Sequence, residues 1–211
     1  MNYEEKHQEI SSILNKYLPE GTVNTLADWI IKYNVHLKIT KSRATKFGDY
    51  MPLSSGIRHH HITINHDLNK YAFLITLVHE FAHLYTFLNF RQQVMPHGVE
   101  WKNSFRLLMT PFFEVFPASL KSALESYLNN PAASSCSDTH LMAALRKYDQ
   151  TPRLLLESLD EGSQFKLDGS LKTAIFKKGK RLRKHFECID LVSGKKYRIH
   201  PLAEIKKLEK N

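Results

Sequence analysis

The chain has 211 residues, 42% hydrophobic and 24% charged, enough for one globular domain with a small appendage and too apolar for a disordered protein. Cys136 and Cys188 are the only cysteines and form no CxxC pair, so neither a disulfide framework nor a cysteine-ligated zinc site is expected, and a reducing, cytoplasmic setting is the default. The net charge of +9 is unevenly spread: residues 161–211 hold 14 Lys and Arg against 6 Asp and Glu, whereas residues 1–160 hold 16 against 15. Such asymmetry fits either a basic module that meets a polyanion or a solvated, solubilising surface.

The first residues are polar and acidic, without the basic and then apolar stretch of an export signal. Helical spacing predicts a helix over residues 3–17, stopped by Pro19 and Gly21, and another over 22–33, with Val23, Leu26 and Ile30 on one face. Val35, Leu37 and Ile39 alternate with polar residues as in a half-buried strand, and residues 59–65 form a second candidate strand. Gly48, Pro52, Ser54, Ser55 and Gly56 mark residues 44–58 as a loop. A long apolar helix then runs over residues 69–90. About 20 apolar residues would span a bilayer, but His79, Glu80 and His83 at its centre would be costly in lipid, and a buried core helix fits better. Further helices are predicted over 99–109, 117–129 and 139–148. Beyond residue 161 the texture changes to short β-prone runs separated by Gly169, Gly179 and Gly194, the pattern of a small antiparallel module. The expectation is an α+β chain divided into residues 1–160 and 161–211.

The stretch LVHEFAHLY carries the chemistry. His79 and His83 are four residues apart, so on a helix turning by about 100° per residue they share one face and converge on one ion. Glu80 then stands beside a water held by that ion and can accept its proton, the physical content of an HExxH motif. Zinc suits imidazole ligands, and one ion with three protein ligands and an open position lowers the pKa of water to about 7. The apolar neighbours Phe73, Leu74, Leu77, Val78, Phe81, Ala82 and Leu84 argue that these groups are buried, where a glutamate without compensation is costly. A third ligand is needed. The pattern HExxHxxGxxH is excluded, because Thr86 and Asn89 stand where Gly and His belong. His97 and Glu100, in PHGVEW, remain: the first completes a three-histidine site, the second a site of two histidines and a carboxylate.

HEFAH followed after 13 residues by HGVEW closely resembles the SprT-like zinc metalloprotease family, as does the strand ITINHDLN before the helix. The resemblance covers roughly residues 22–110. It implies a minimal zincin core, with His79, His83 and His97 as zinc ligands, Glu80 as general base, Trp101 packing the second helix, and Glu100 as at most a neighbouring carboxylate. The family's C-terminal region often carries a zinc ribbon. Here Cys188 stands alone, with Leu191 where a CxxC would place its second cysteine, so the module resembles a zinc ribbon that has lost its cysteines and would rely on Phe176, Phe186, Ile189 and Tyr197 packing against the main domain.

His59, His60 and His61 read as a strand beside the cleft rather than a metal site, since alternation puts at most His59 and His61 on one face. A free edge on that strand would pair with an extended substrate. Arg43 or Tyr50 would lie near the water. In KKGKRLRK, Lys178, Lys180, Arg181, Arg183 and Lys184 are the candidate nucleic-acid contacts, with Lys178, Lys180 and Lys184 sharing a face if the hairpin alternates regularly. Because Spartan-type members of the family degrade proteins crosslinked to DNA, the resemblance implies a zinc endopeptidase acting on DNA-associated proteins. A non-catalytic, zinc-stabilised nucleic-acid-binding protein and a zinc hydrolase of small molecules are the alternatives.

Overall fold

A computed structural model describes residues 2–43, 46–54, 56, 58–132, 138–151, 154–168 and 174–208; Ser55, Cys136 and Gly169 lie outside them. The chain divides into two units, Met1–Gln150 and Thr151–Asn211.

The first unit opens with helices α1 (Tyr3–Leu14) and α2 (Val23–Lys32). Asn2 starts α1 through a reciprocal cap: its side chain accepts from the Glu5 amide while the Glu5 carboxylate accepts from the Asn2 amide. Leu14, Leu18, Val23, Leu26 and Ile30 bury the shared apolar face. Strands β1 (Val35–Thr40), β2 (Gly48–Met51) and β3 (His60–Asn65) form a sheet of order β1-β3-β2, with β1 parallel and β2 antiparallel to β3. Two expectations change here. The span 44–58 is not all loop, since it contains β2, and β3 is the central strand with no free edge. The edges belong to β1 and β2.

Helix α3 (Lys70–Phe90) packs against β2, β3 and α4 (Val99–Met109). Its apolar residues cover almost the whole circumference, which by composition alone would suit a membrane span, yet most of the helix is buried inside this fold. Asn69 begins it by accepting from the Ala72 amide, and its side-chain amide donates to the Leu145 carbonyl and to Asp149. Each fully buried Leu or Phe along α3 contributes about 1.5–3 kcal/mol relative to exposure, so the core rather than helix propensity fixes its position. Helices α5 (Ala118–Asn129) and α6 (Thr139–Arg146) complete the unit.

The second unit is one sheet of order β7-β6-β5-β4-β8, antiparallel throughout, built from β4 (Gln164–Leu167), β5 (Phe176–Arg181), β6 (Phe186–Asp190), β7 (Lys196–Ile199) and β8 (Ile205–Lys207). Its core is its own: Leu156, Leu159, Phe165, Phe176, Phe186, Cys188, Ile199 and Ile205. Leu156 and Leu159 therefore place residues 154–160 with this unit, ahead of the boundary expected at 160. Strand alternation also revises the expected packing, because Cys188 shares the inner face with Phe186 while Ile189 takes the other and Tyr197 is exposed.

Candidate metal centre

Two consecutive turns of α3 bring His79 and His83 together, with their Nε2 atoms 3.3 Å apart. His97 arrives from the loop before α4, and one ring nitrogen from each of the three lies within 4.8 Å of the others. The loop is bent to deliver it: His97 has φ +57°, a left-handed conformation that histidine tolerates better than branched residues. Gly98 follows because a Cβ there would stand 2.9 Å from the Met95 carbonyl oxygen, to which the Gly98 amide donates. The Thr86 hydroxyl donates to Ser104 across the α3–α4 interface, and Ser104 donates to the Glu100 carbonyl. Those bonds hold the two helices in a fixed offset around the three rings.

These residues fit a small divalent ion. Nitrogens about 2.0–2.1 Å from a tetrahedral centre are about 3.3 Å apart, the separation His79 and His83 already show. His97 Nε2 is buried with no hydrogen-bond partner among the described residues, a position that a metal bond would satisfy. Trp101 packs against all three rings, with centroids 4.6 Å from His79, 5.3 Å from His83 and 4.7 Å from His97, and stacks on Phe105. The imidazoles are thus walled from one side by aromatic carbon.

Burial also sets their charge state. It lowers His79 to about 2, with the neighbouring His83 and His97 adding to the effect, and lowers His83 to about 3. Both rings are neutral at physiological pH, the form that ligates. Glu80, 5% exposed, goes the other way: burial, reinforced by Asp49, pushes its carboxyl up to about 8, against the pull of Arg43 and Lys46. A dication at the histidines would pull it back down. The carboxyl lies directly under β2, since a Cβ on Gly48 would be 2.5 Å from Glu80 Oε1.

Strand β2 contributes more than the sequence suggests. The Tyr50 ring stacks parallel to that of His83 at 6.4 Å, and its hydroxyl is 2.9 Å from His60 Nδ1. Arg43 donates to Asn65 and Thr63 on β3, while its charge still reaches Glu80. Glu100, the other sequence candidate for third ligand, is not part of the gathered group.

The basic residues split. Lys180, Arg181, Arg183 and Lys184 are exposed, but Lys178 is only 4% exposed and does not present its amine to solvent. Its ammonium donates to the Glu157 and Leu159 carbonyls and sits 4.0 Å from the centre of the Phe186 ring. Lys178 pairs with Cys188 and shares the inner face with Phe176 by ordinary alternation; an extra residue in β5 then follows, since Arg181 pairs with Phe186, and the expected common face of Lys178 and Lys180 is lost.

Three histidines gathered beside a buried glutamate on a core helix, in a mixed α+β fold, define a metalloprotease-like domain. The model of the SprT-like family matches residues 9–121, more than half of the chain, and the chain belongs to that family. No curated protein and no solved structure matches it.

Proposed function

We propose that the chain is a zinc-dependent endopeptidase with a minimal zincin core, holding one zinc ion on His79, His83 and His97 and cutting DNA-associated proteins. The observation that carries this reading is Glu80, buried next to the three imidazoles and under the edge strand β2. Zinc in such a site supplies Lewis acidity that polarises a carbonyl and acidifies water to a pKa of about 7. Among the described residues strand β2 has one unpaired edge, whose backbone groups can order an extended peptide by main-chain hydrogen bonds. Glu80 takes a proton from water as attack proceeds and returns it to the leaving amine. Tyr50, kept neutral because burial raises its pKa, is a phenol donor on the same strand and serves the developing oxyanion. Trp101 and Phe105 exclude water behind the histidines.

On the second unit, Lys180, Arg181, Arg183 and Lys184 would meet phosphates and bring the enzyme to DNA-bound substrates. The buried free thiol of Cys188 agrees with a cytoplasmic location. Zinc analysis combined with cleavage of casein and of DNA-crosslinked protein, with and without single-stranded DNA, tests the reading. Glu80→Gln should keep the metal and lose cleavage, and unchanged turnover in that variant would refute the mechanism. Salt-dependent DNA binding by a parent protein that cleaves nothing would favour the non-catalytic alternative instead.

A further inference from the structure

The central strand β3 carries histidines on both faces. His60 is buried on the inner face with Ile62 and Ile64, beside Tyr50. On the outer face a separate group assembles. His61 pairs in parallel register with His36 of β1, and His59 lies two residues before His61. Ring centroids are 4.7 Å apart for His36 and His61, 4.7 Å for His59 and His61, and 5.2 Å for His36 and His59. The Nε2 atoms of His59 and His61 approach to 3.1 Å.

We propose that His36, His59 and His61 form a second metal site, taking a late first-row divalent ion such as Zn2+, Ni2+ or Cu2+ at the surface of the β1–β3 pair. Imidazole is the preferred neutral ligand for these ions. The 3.1 Å separation of His59 and His61 is close to the about 3.3 Å edge of a tetrahedral site and to the 3.3 Å of His79 and His83. Strand geometry supplies the pre-organisation: residues two apart point the same way, and the register neighbour on the adjacent strand lies about 4.8 Å off. The three rings are not gathered with one nitrogen each within 4.8 Å, as those of His79, His83 and His97 are, so exposed His36 must turn its ring to join an ion held by the other two. Burial, the neighbouring histidines and Lys38 all disfavour protonation of His61, which leaves it available as a ligand. Lys38 and the exposure of His36 also weaken the site, so it ranks below the buried triad in affinity. A bound ion would clip the edge strand β1 to β3, on the side of the sheet away from α3. The proposal does not depend on peptidase activity.

The test is a zinc titration of untagged, metal-stripped full-length chain by equilibrium dialysis with elemental analysis, repeated with Cu2+ followed by its nitrogen hyperfine splitting. Two classes of zinc are expected. His61→Gln should weaken the second class about tenfold or more while leaving the tight ion and the metal-free melting temperature unchanged, and the His36→Gln/His59→Gln/His61→Gln triple variant should abolish it. His97→Ala should do the reverse, losing the tight ion and sparing the weaker one. A single class in the parent protein, or a second class that survives the triple variant, overturns the proposal.

Discussion

Gly48→Ala tests whether Glu80 acts from the position β2 gives it. The added methyl would stand 2.5 Å from Glu80 Oε1, 3.0 Å from Glu80 Cδ and 2.7 Å from Thr76 Cγ2, against about 3.5 Å for an unstrained contact. Gly48 is not among the glycines with positive φ, so the effect is one of space rather than backbone strain. Thr76 is held in its rotamer by donating to the Ala72 carbonyl at 2.7 Å. The roughly 1 Å must then come from the Glu80 carboxyl or from β2, whose Gly48 is paired with Ile64. Overpacking of this size costs about 1–3 kcal/mol of stability. A catalytic group misplaced by about 1 Å costs on the order of 100-fold in rate, or about 2.7 kcal/mol in the barrier. The variant should therefore keep its zinc, melt a few degrees lower and lose about 100-fold in kcat on casein. Turnover equal to that of the parent, in a folded and zinc-loaded variant, would refute the role given to Glu80 beneath this strand.

In the proposed site His97→Ala would remove a ligand rather than a group that supports one, so zinc affinity should fall by more than the 10–100-fold typical when only a supporting partner is removed, as a competition titration with a chelator would read. Lys178→Met keeps the aliphatic stem but leaves the Glu157 and Leu159 carbonyls without their donor, which should destabilise the second unit by about 1–3 kcal/mol in urea and leave the salt dependence of the proposed DNA binding unchanged. Lys180→Glu or Arg183→Glu should instead lower the slope of log K against log salt by about 1 for each phosphate that is no longer neutralised, without affecting folding. Asp190 accepts from the Ser193 hydroxyl and the Val192 amide, which hold its carboxyl below the usual range. A depressed folded-state pKa contributes stability that is present above the unfolded value and lost as pH falls through the folded one. Ser193→Ala should accordingly move the Asp190 titration upward by NMR, and the stability gap between variant and parent should close as the solution is acidified below the carboxylate range.

The two histidine groups show how one sheet separates two kinds of site. At the α3 centre, burial makes protonation unfavourable and aromatic walls leave His97 Nε2 without a partner among the described residues, so the site has few ways to be satisfied without an ion. His79 and His83 can hydrogen-bond to each other as His59 and His61 can, but the rings on the outer face of β3 also reach water, so a metal there competes with better alternatives. The first arrangement favours a resident ion and the second an exchangeable one. Exposure, rather than the number of imidazoles, decides between them.

What was legible in the sequence was what the local period controls. Helix α3, its His79–His83 spacing and the helix of Trp101 all follow from residues three or four apart, and α4 falls on the expected residues 99–109. Strand β2 was not legible, because GDYM has no apolar alternation and becomes a strand only by pairing with β3. Its Gly48 looked like a turn residue, and its actual constraint, the closeness of Glu80, is tertiary. The second histidine group escaped for a related reason: His36 and His61 meet through a parallel register, and nothing in a six-residue strand states its partner or direction. Lys178 is the instructive case, because there a signal was present. Gly179 interrupts a β-prone run, and a Cβ at that position would stand 2.6 Å from the Glu187 carbonyl oxygen. A lone glycine inside a strand marks a bulge or a close backbone approach, and a bulge reverses the faces of every residue beyond it. Strict alternation across Gly179 put the buried ammonium on a phosphate-binding surface; Lys178 is inward with Phe176 by ordinary alternation, and the residue inserted after it leaves Lys180 outside.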